Sequence, residues 1–325
     1  MPAEWAPHER TLMAWPCRTE LWEGLLDEAR GEHAGVANAV AAFEPVTMVA
    51  NPGEQAAQAR AACGAGVEVL ELPIDDSWLR DSGPIFVAGD GGERVGVHFR
   101  FNAWGGRFTP FDSDEAAGGE LARRYGDAVV DVPFVLEGGS IGVDGAGTLI
   151  TTEECLLHPN RNPSMSRDEI EAGLCEHLGV HTVVWLEHGL VEDRDTDGHV
   201  DLIAAFTKPG EELLQAGAPG SEDERRMEVN RERLEAAGLA VRRLEVLPHV
   251  EVAGEQIAVS HMNFYLCNGA IVVPLSGQDT DGEALRVIGE AYPDHEVVGV
   301  PGAVLAFGGG GPHCITQQVP ARLRA

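Results

Sequence analysis

The sequence predicts a mixed α/β protein assembled from about five similar units. Two observations carry this. Helix-like stretches at 34–43, 55–62, 167–178, 222–237 and 281–292 alternate with β-branched runs such as VEVLELP, HTVVWL, VRRLEVL and EVVGVP. Gly-rich segments with hairpin patterning begin at Ser82, Gly138, Gly198, Asn263 and Gly309, at spacings of about 56, 60, 65 and 46 residues.

In chain order the hairpin-like, Gly-rich segments are SGPIFVAGDGGERVGVHF, GGSIGVDGAGTLI, GHVDLIAAFTKPGEELL and NFYLCNGAIVVP. GGGPHCITQQVP is taken as the fifth such segment. Units of roughly 60 residues account for nearly all of the 325-residue chain, with no Pro/Ser-rich linker or low-complexity run dividing it. The expectation is one domain over 1–325 built of five pseudo-repeats.

Composition narrows the partners. Asp and Glu number 53 against 23 Lys and Arg, a formal net charge of -30. A field of that sign repels phosphate backbones and anionic lipid surfaces, so no nucleic-acid or membrane partner is expected. It favours cationic ligands without selecting one. Basic residues are nearly all arginine, with Lys208 the single lysine. The N-terminus lacks a basic segment followed by an apolar one, and no window approaches the ~18 apolar residues of a spanning helix. A soluble, cytoplasmic protein is expected, with a homo-oligomer left open. Six cysteines without CxxC spacing read as reduced thiols, five of them as small buried hydrophobes.

The polar residues most costly to bury sit at the edges of the hairpin segments: Asp81, Glu137, His199, Asp201 and Cys314. Units arranged about an axis would bring them to one site. Cys314 follows GGGG, which permits close backbone approach to a ligand, and His313 and Thr316 beside it are unusually polar neighbours for a structural cysteine. A cysteine nucleophile needs a proton-shuttling partner. His199, flanked by Asp195, Asp197 and Asp201, is the best-equipped histidine. His199 and Asp201, two apart on an extended strand, would face the same side. No CxxC, HExxH or EF-hand spacing argues for a metal. Trp78 and Trp104 lie near these groups, and aromatic faces with carboxylates suit a planar cation such as a guanidinium.

Together, MPAEWAPHERTLMAWP, SWLRDSGPIFV, FRFNAWGGRF, LEGGSIGVDGAGTLITTEECLLHPNRNP, TDGHVD, NFYLCNGAIVVP and GGGGPHCITQQVP make the chain resemble the agmatine deiminases. These are a branch of the guanidino-group-modifying, pentein-fold enzymes that includes bacterial peptidylarginine deiminases. The resemblance runs almost end to end. It implies a five-bladed α/β propeller of ββαβ units around a central active site. Carried across by motif, Cys314 is similar to the nucleophile, His199 to the general acid/base and Glu137 to the carboxylate that orients the imidazole. Asp81 and Asp201 resemble the pair that holds the guanidinium, and Trp78 lines the pocket.

The implied activity is hydrolysis of agmatine to N-carbamoylputrescine and ammonia through a covalent thiouronium, in putrescine biosynthesis, with no cofactor or metal. The alternatives are a deiminase of peptidyl-arginine or another substituted guanidine, and a non-catalytic guanidine-binding protein. Asp195 and the carbonyls of 308–312 are expected to meet the substrate's terminal ammonium, whereas Arg80 or Arg107 pointing into the pocket would favour a carboxylate. The sequence departs from the family pattern at Gly311, Pro312 and Leu202.

Overall fold

The computed structural model describes residues 1–89 and 91–322. Four of the Gly-bounded segments close as antiparallel strand pairs, and the second strand of each then takes a parallel neighbour. Ile85–Ala88 pairs with Arg94–Arg100, which pairs with Ala128–Val135. Ile141–Val143, Thr148–Thr152 and Thr182–Leu186 repeat the pattern, as do Ala204–Lys208, Glu211–Gln215 and Ala240–Leu244. The next sheet is Tyr265–Cys267, Ala270–Leu275 and Glu296–Pro301. A parallel neighbour requires a crossover, here supplied by the helices Asp112–Tyr125, Arg167–Leu178, Glu222–Ala236 and Asp281–Ala291. The matching α/β unit therefore recurs along the chain.

The fifth segment departs from expectation. GGGPHCITQQVP forms no hairpin of its own. Its strand Thr316–Pro320 pairs antiparallel with His8–Ala14, which pairs parallel with Val46–Ala50 across the helix Leu26–Ala41. Val67–Glu71 adds a fourth strand. This unit is thus assembled from both ends of the sequence, which short-range patterning cannot reveal. A separate hairpin, His249–Val252 with Glu255–Ala258, stands outside the five sheets.

Helix boundaries follow local chemistry. Arg167–Leu178 matches its expected span because Ser166 and Glu169 form a reciprocal capping box and Gly179 ends the helix at φ 67°. The helix expected at 34–43 begins earlier, at Leu26, and ends at Ala41. Asp112–Tyr125 was not anticipated, because Gly118 and Gly119 depress its helix propensity. Packing explains Gly118: a Cβ there would lie 2.3 Å from the Ser82 carbonyl oxygen. The helix thereby backs the segment that carries Asp81.

Apolar side chains gather into separate clusters, one of which holds Trp15, Trp22, Trp78, Trp104 and Cys314 together. Trp22 is fully buried and stacks on Trp78 with ring centroids 5.9 Å apart. A Cβ at Gly308 would meet the Trp22 ring at 2.3 Å, so the Gly-rich loop and the pocket wall pack as one unit. The six cysteines are all free. Only Cys155, Cys267 and Cys314 are fully buried; Cys17, Cys63 and Cys175 are half-buried, a correction to the expectation of five buried thiols. No described helix is long and apolar enough to cross a membrane.

Candidate active site

Asp81 is carried by the short helix Leu79–Ser82, directly after Trp78. Its Oδ2 accepts from Trp104 Nε1 at 2.9 Å and its Oδ1 from the Gly139 amide at 2.9 Å. Trp104 reaches it from an unusual backbone: Ala103, Trp104, Gly105 and Gly106 have φ of 53°, 54°, 84° and 80°. A non-glycine residue held there costs on the order of 1 kcal/mol or more. The Asp81 hydrogen bond and edge contacts with Phe101 at 5.2 Å and Phe108 at 5.6 Å hold Trp104 in place.

His199 and Asp201 come from an acidic loop pinned by its own side chains. The Asp193 carboxylate accepts from the amides of Thr196 at 3.1 Å, Gly198 at 3.0 Å and His199 at 2.9 Å. Asp197, at φ 62°, accepts from Arg161 at 2.7 Å and Asn160 at 3.0 Å and pairs with Arg107. Arg161 is itself buried, and its Nε donates to Glu137 Oε1 at 2.6 Å. His199 and Asp201 do not lie on a strand: His199 caps the 3₁₀ turn Val200–Leu202. They still face one side, since a Cβ at Gly139 would lie 2.7 Å from His199 Nδ1, 2.9 Å from Asp201 Oδ2 and 2.9 Å from Asp81 Oδ1. Only glycine fits at that junction.

Cys314 enters from the opposite loop. Its Sγ accepts from Asn263 Nδ2 at 3.1 Å and lies 3.4 Å from Asp201 Oδ2, while its amide donates to Asn263 Oδ1 at 3.2 Å. The glycines before it are close approaches: a Cβ at Gly310 would meet Cys314 Sγ at 2.8 Å and the Trp78 ring at 2.7 Å. Gly309, at φ 109°, brings its backbone to Asp195, 3.2 Å from that added carbon. Trp78, Asp81, Trp104, Asp195, Gly309 and Cys314 line one small pocket, and a larger cavity of about 450 Å³ adjoins it across Asp195 and Gly309. Arg80 and Arg107 are absent from the pocket lining. Arg80 is spent on Gln318 at 2.8 Å and the His313 carbonyl at 3.3 Å, and Arg107 on Asp197.

Electrostatics separate the roles. Burial lowers the His199 pKa, but Asp81, Asp201, Glu137 and Asp193 outweigh it and raise it above the ordinary imidazole value. Burial, reinforced by Asp201 and Glu137, raises the Asp81 carboxyl despite His199. Burial pushes Asp201 the same way, yet the hydrogen bond and charge of His313, with His199, hold it below the usual carboxylate range. Burial, then Asp201 and Asp81, push the Cys314 thiol well above its ordinary value.

Glu137 has one oxygen on Arg161 and the other without a partner. It makes no hydrogen bond to His199, whose ring nitrogens have no hydrogen-bond partner and whose Nδ1 lies 3.8 Å from Asp81 Oδ1, but a carboxylate oxygen lies within 4.8 Å of a ring nitrogen. Cys155 completes this group, the one metal-like cluster among the described residues. It suits a cation poorly, because the Arg161 guanidinium already occupies Glu137 and burial holds the Cys155 thiol protonated. The eight residues singled out from sequence thus converge. Asn263, Arg161, Asp193 and Gly139 were missed; Asn263 heads the motif NFYLCNGA, but no local signal links it to a cysteine 51 positions away.

The family model described as Porphyromonas-type peptidyl-arginine deiminase matches residues 1–320, and the chain belongs to that family. Its relatives narrow the branch. Agmatine deiminase of Stutzerimonas stutzeri is 45% identical, over 99% of this chain and 95% of its own. Among solved structures, agmatine deiminase of Enterococcus faecalis superposes with a TM-score of 0.93 at 33% identity, covering 99% of this chain and 96% of its own. Substrate-bound agmatine deiminase of C. jejuni gives 0.91 at 26% identity, covering 100% and 96%.

Proposed function

We propose that this chain is a hydrolase that deiminates agmatine to N-carbamoylputrescine and ammonia, serving putrescine formation in the cytoplasm. The observation that carries the reading is the meeting of Asp81, Asp201, His199 and Cys314 around Gly139 and Gly310. A guanidinium is resonance-stabilised, protonated and costly to desolvate. Asp81 and Asp201 hold its edge by charge-assisted hydrogen bonds, and Trp78 and Trp104 wall the pocket.

In the empty site the two carboxylates oppose ionisation of Cys314. An entering guanidinium offsets them, and the thiol gives up its proton to solvent. The thiolate adds to the guanidinium carbon. Imidazolium His199 protonates the departing nitrogen, ammonia leaves, and a thiouronium remains on Cys314. Neutral His199 then takes a proton from water as the water oxygen attacks the same carbon. Collapse expels the Cys314 thiolate, the adduct's hydroxyl proton passes to solvent, and the neutral carbamoyl product leaves. Glu137, held by Arg161, keeps negative charge beside the ring and favours its protonated form.

Asp195 and the 308–312 backbone meet the terminal ammonium; with Arg80 and Arg107 turned away no Arg or Lys lines the small pocket, and Arg194 lines the adjoining cavity. The five α/β units are arranged as blades about this site in one domain. The test is ammonia release from agmatine, arginine and a blocked arginyl peptide. A kcat/KM for agmatine exceeding the others by roughly 10²-fold is expected, the effect of an uncompensated buried charge. Equal rates with arginine or the peptide would discard agmatine and leave the deiminase chemistry standing. Activity is also expected to survive exhaustive chelation.

A further inference from the structure

Behind the pocket, the ring of His313 spans two carboxylates that come from distant parts of the chain. Nδ1 lies 2.8 Å from Asp201 Oδ2, and Nε2 lies 2.8 Å from Glu4 Oε1. A neutral imidazole carries one N–H, so one of its nitrogens would direct a lone pair at a carboxylate oxygen. With both carboxyls ionised, only the imidazolium satisfies both contacts. The ring is nearly buried, with a side-chain exposure of 6%, as is Asp201 at 3%, while Glu4 reaches 20%. Arg80 closes the far side, 3.4 Å from the Glu4 oxygen, and its own carbonyl-directed and Gln318 bonds fix it.

The same Asp201 oxygen faces Cys314 Sγ at 3.4 Å. It is therefore shared between the Cys314 sulfur and a ring that does not line the small pocket. Asp81 is backed otherwise: its hydrogen-bond partners are an indole N–H and a backbone amide, both neutral, and its nearest cation is the pocket's own His199, whose Nδ1 lies 3.8 Å from Oδ1. The two carboxylates that flank one guanidinium are thus backed differently.

We propose that His313 and Glu4 are positioning residues, a buried imidazolium–carboxylate pair that fixes the Asp201 carboxylate and keeps it anionic for the guanidinium. The inference rests on the deiminase reading of the pocket. The directions of the pKa shifts agree with the geometry. For His313, burial and Arg80 lower the value, and Glu4 and Asp201 outweigh them. For Glu4, burial raises it, and His313, Arg80 and His8 bring it down to about 2. The groups facing Asp201 from every packed element are His313, His199, Cys314 and Asp81.

The sign follows. With the imidazolium in place Asp201 ionises below the usual range and is ready at any pH at which Asp81 is also ionised. Without it, burial and the Asp81 charge dominate, and the Asp201 carboxyl titrates at higher pH. The experiment is the pH profile of kcat and KM for agmatine with wild type, His313→Gln and Glu4→Gln, with Glu4→Asp as the conservative variant. For His313→Gln the acid limb of kcat/KM is expected to move up by about one pH unit or more and to steepen from one proton, about tenfold in rate per pH unit, toward two, about a hundredfold. The loss is expected mainly in KM. Glu4→Gln should shift the limb less, and Glu4→Asp less again.

Two-bond ¹H–¹⁵N spectra of the wild type should show His313 doubly protonated at pH 7.5, a readout that needs no variant to fold. A neutral tautomer there, or variants whose profiles fall by one constant factor at every pH, would overturn the proposal. Absence of ammonia release by the wild type would instead overturn the deiminase reading.

Discussion

Two loops meet over the pocket, and their catalytic side chains are held by different means. The 193–201 loop, which brings His199 and Asp201, is fastened by charge: Asp193 on backbone amides, and Asp197 on Arg161 and Arg107. Around its sulfur the 308–314 loop, which brings Cys314, is fastened by neutral contacts, the Asn263 amide and glycines packed on Trp22, Trp78 and Asn263, and its charged tie, His313 to Asp201 and Glu4, lies behind the pocket. The difference follows from what each must present. Carboxylates clustered in the interior need buried cations behind them, or they protonate. A cysteine that is to ionise when a cationic substrate arrives gains from having no fixed cation of its own, because its reactivity is then tied to occupancy of the pocket.

The comparison can be broken most severely at sulfur. Cys314→Ser should reduce turnover to background while the melting temperature stays near that of the wild type, since the hydroxyl is a far weaker nucleophile and finds no strong base. Mass spectrometry of quenched wild-type enzyme should place the substrate adduct on the Cys314 peptide; an adduct on Cys155 or Cys267 would reverse the assignment.

The charged anchor comes next. Arg161→Met strands Glu137 and Asp197, and removal of one partner from a buried ion pair costs about 3–5 kcal/mol. Denaturant unfolding should register that loss, and adding Glu137→Gln should return part of it. Were the single variant as stable as the wild type, the ionic account of the loop would fail.

The neutral anchor should be gentler. Asn263→Ala removes one hydrogen bond to sulfur and one from the Cys314 amide, about 1.5–3 kcal/mol if the thiolate is the form held, or roughly tenfold to a hundredfold in kcat/KM. Its stability loss should be smaller than that of Arg161→Met, and the reverse ranking would contradict the comparison. The smallest effect is expected from Gly311→Ala, whose new Cβ would sit 2.8 Å from Asn263 Oδ1 and displace it slightly. That variant should follow Asn263→Ala in kind, at a fraction of its size. Full wild-type kcat/KM in Gly311→Ala would show that Asn263 tolerates movement.

What the sequence made legible was local. Four hairpins were visible because turn glycines and alternating strands are short-range signals, and Asp81, Glu137, His199, Asp201 and Cys314 stood at their edges. The fifth hairpin was misread because the partner of Thr316–Pro320 is His8–Ala14, at the other end of the sequence. The helix Asp112–Tyr125 was hidden because its glycines serve tertiary packing on Ser82 against their own propensity. The strand assigned to His199 and Asp201 proved to be a capped turn, yet both orientations put the two side chains on one side. Asn263 and Arg161 escaped for a common reason. Each matters through a partner 51 or 24 positions away, and nothing in its own neighbourhood differs from an ordinary polar residue.

The pairing of Thr316–Pro320 with His8–Ala14 has a consequence for how the molecule comes into being. Cys314 stands two residues ahead of that closing strand, and its partner Asp201 is clamped through His313 to Glu4 near the start of the chain. A ribosome that has emitted three hundred residues has therefore delivered every carboxylate of the pocket but not its sulfur, and the first strand still has an open edge. The sheet edge and the reactive centre are completed by the same event. If Cys314 is the nucleophile proposed above, a newly made chain gains activity only with that last docking, and the appearance of activity would then report the closing of the sheet.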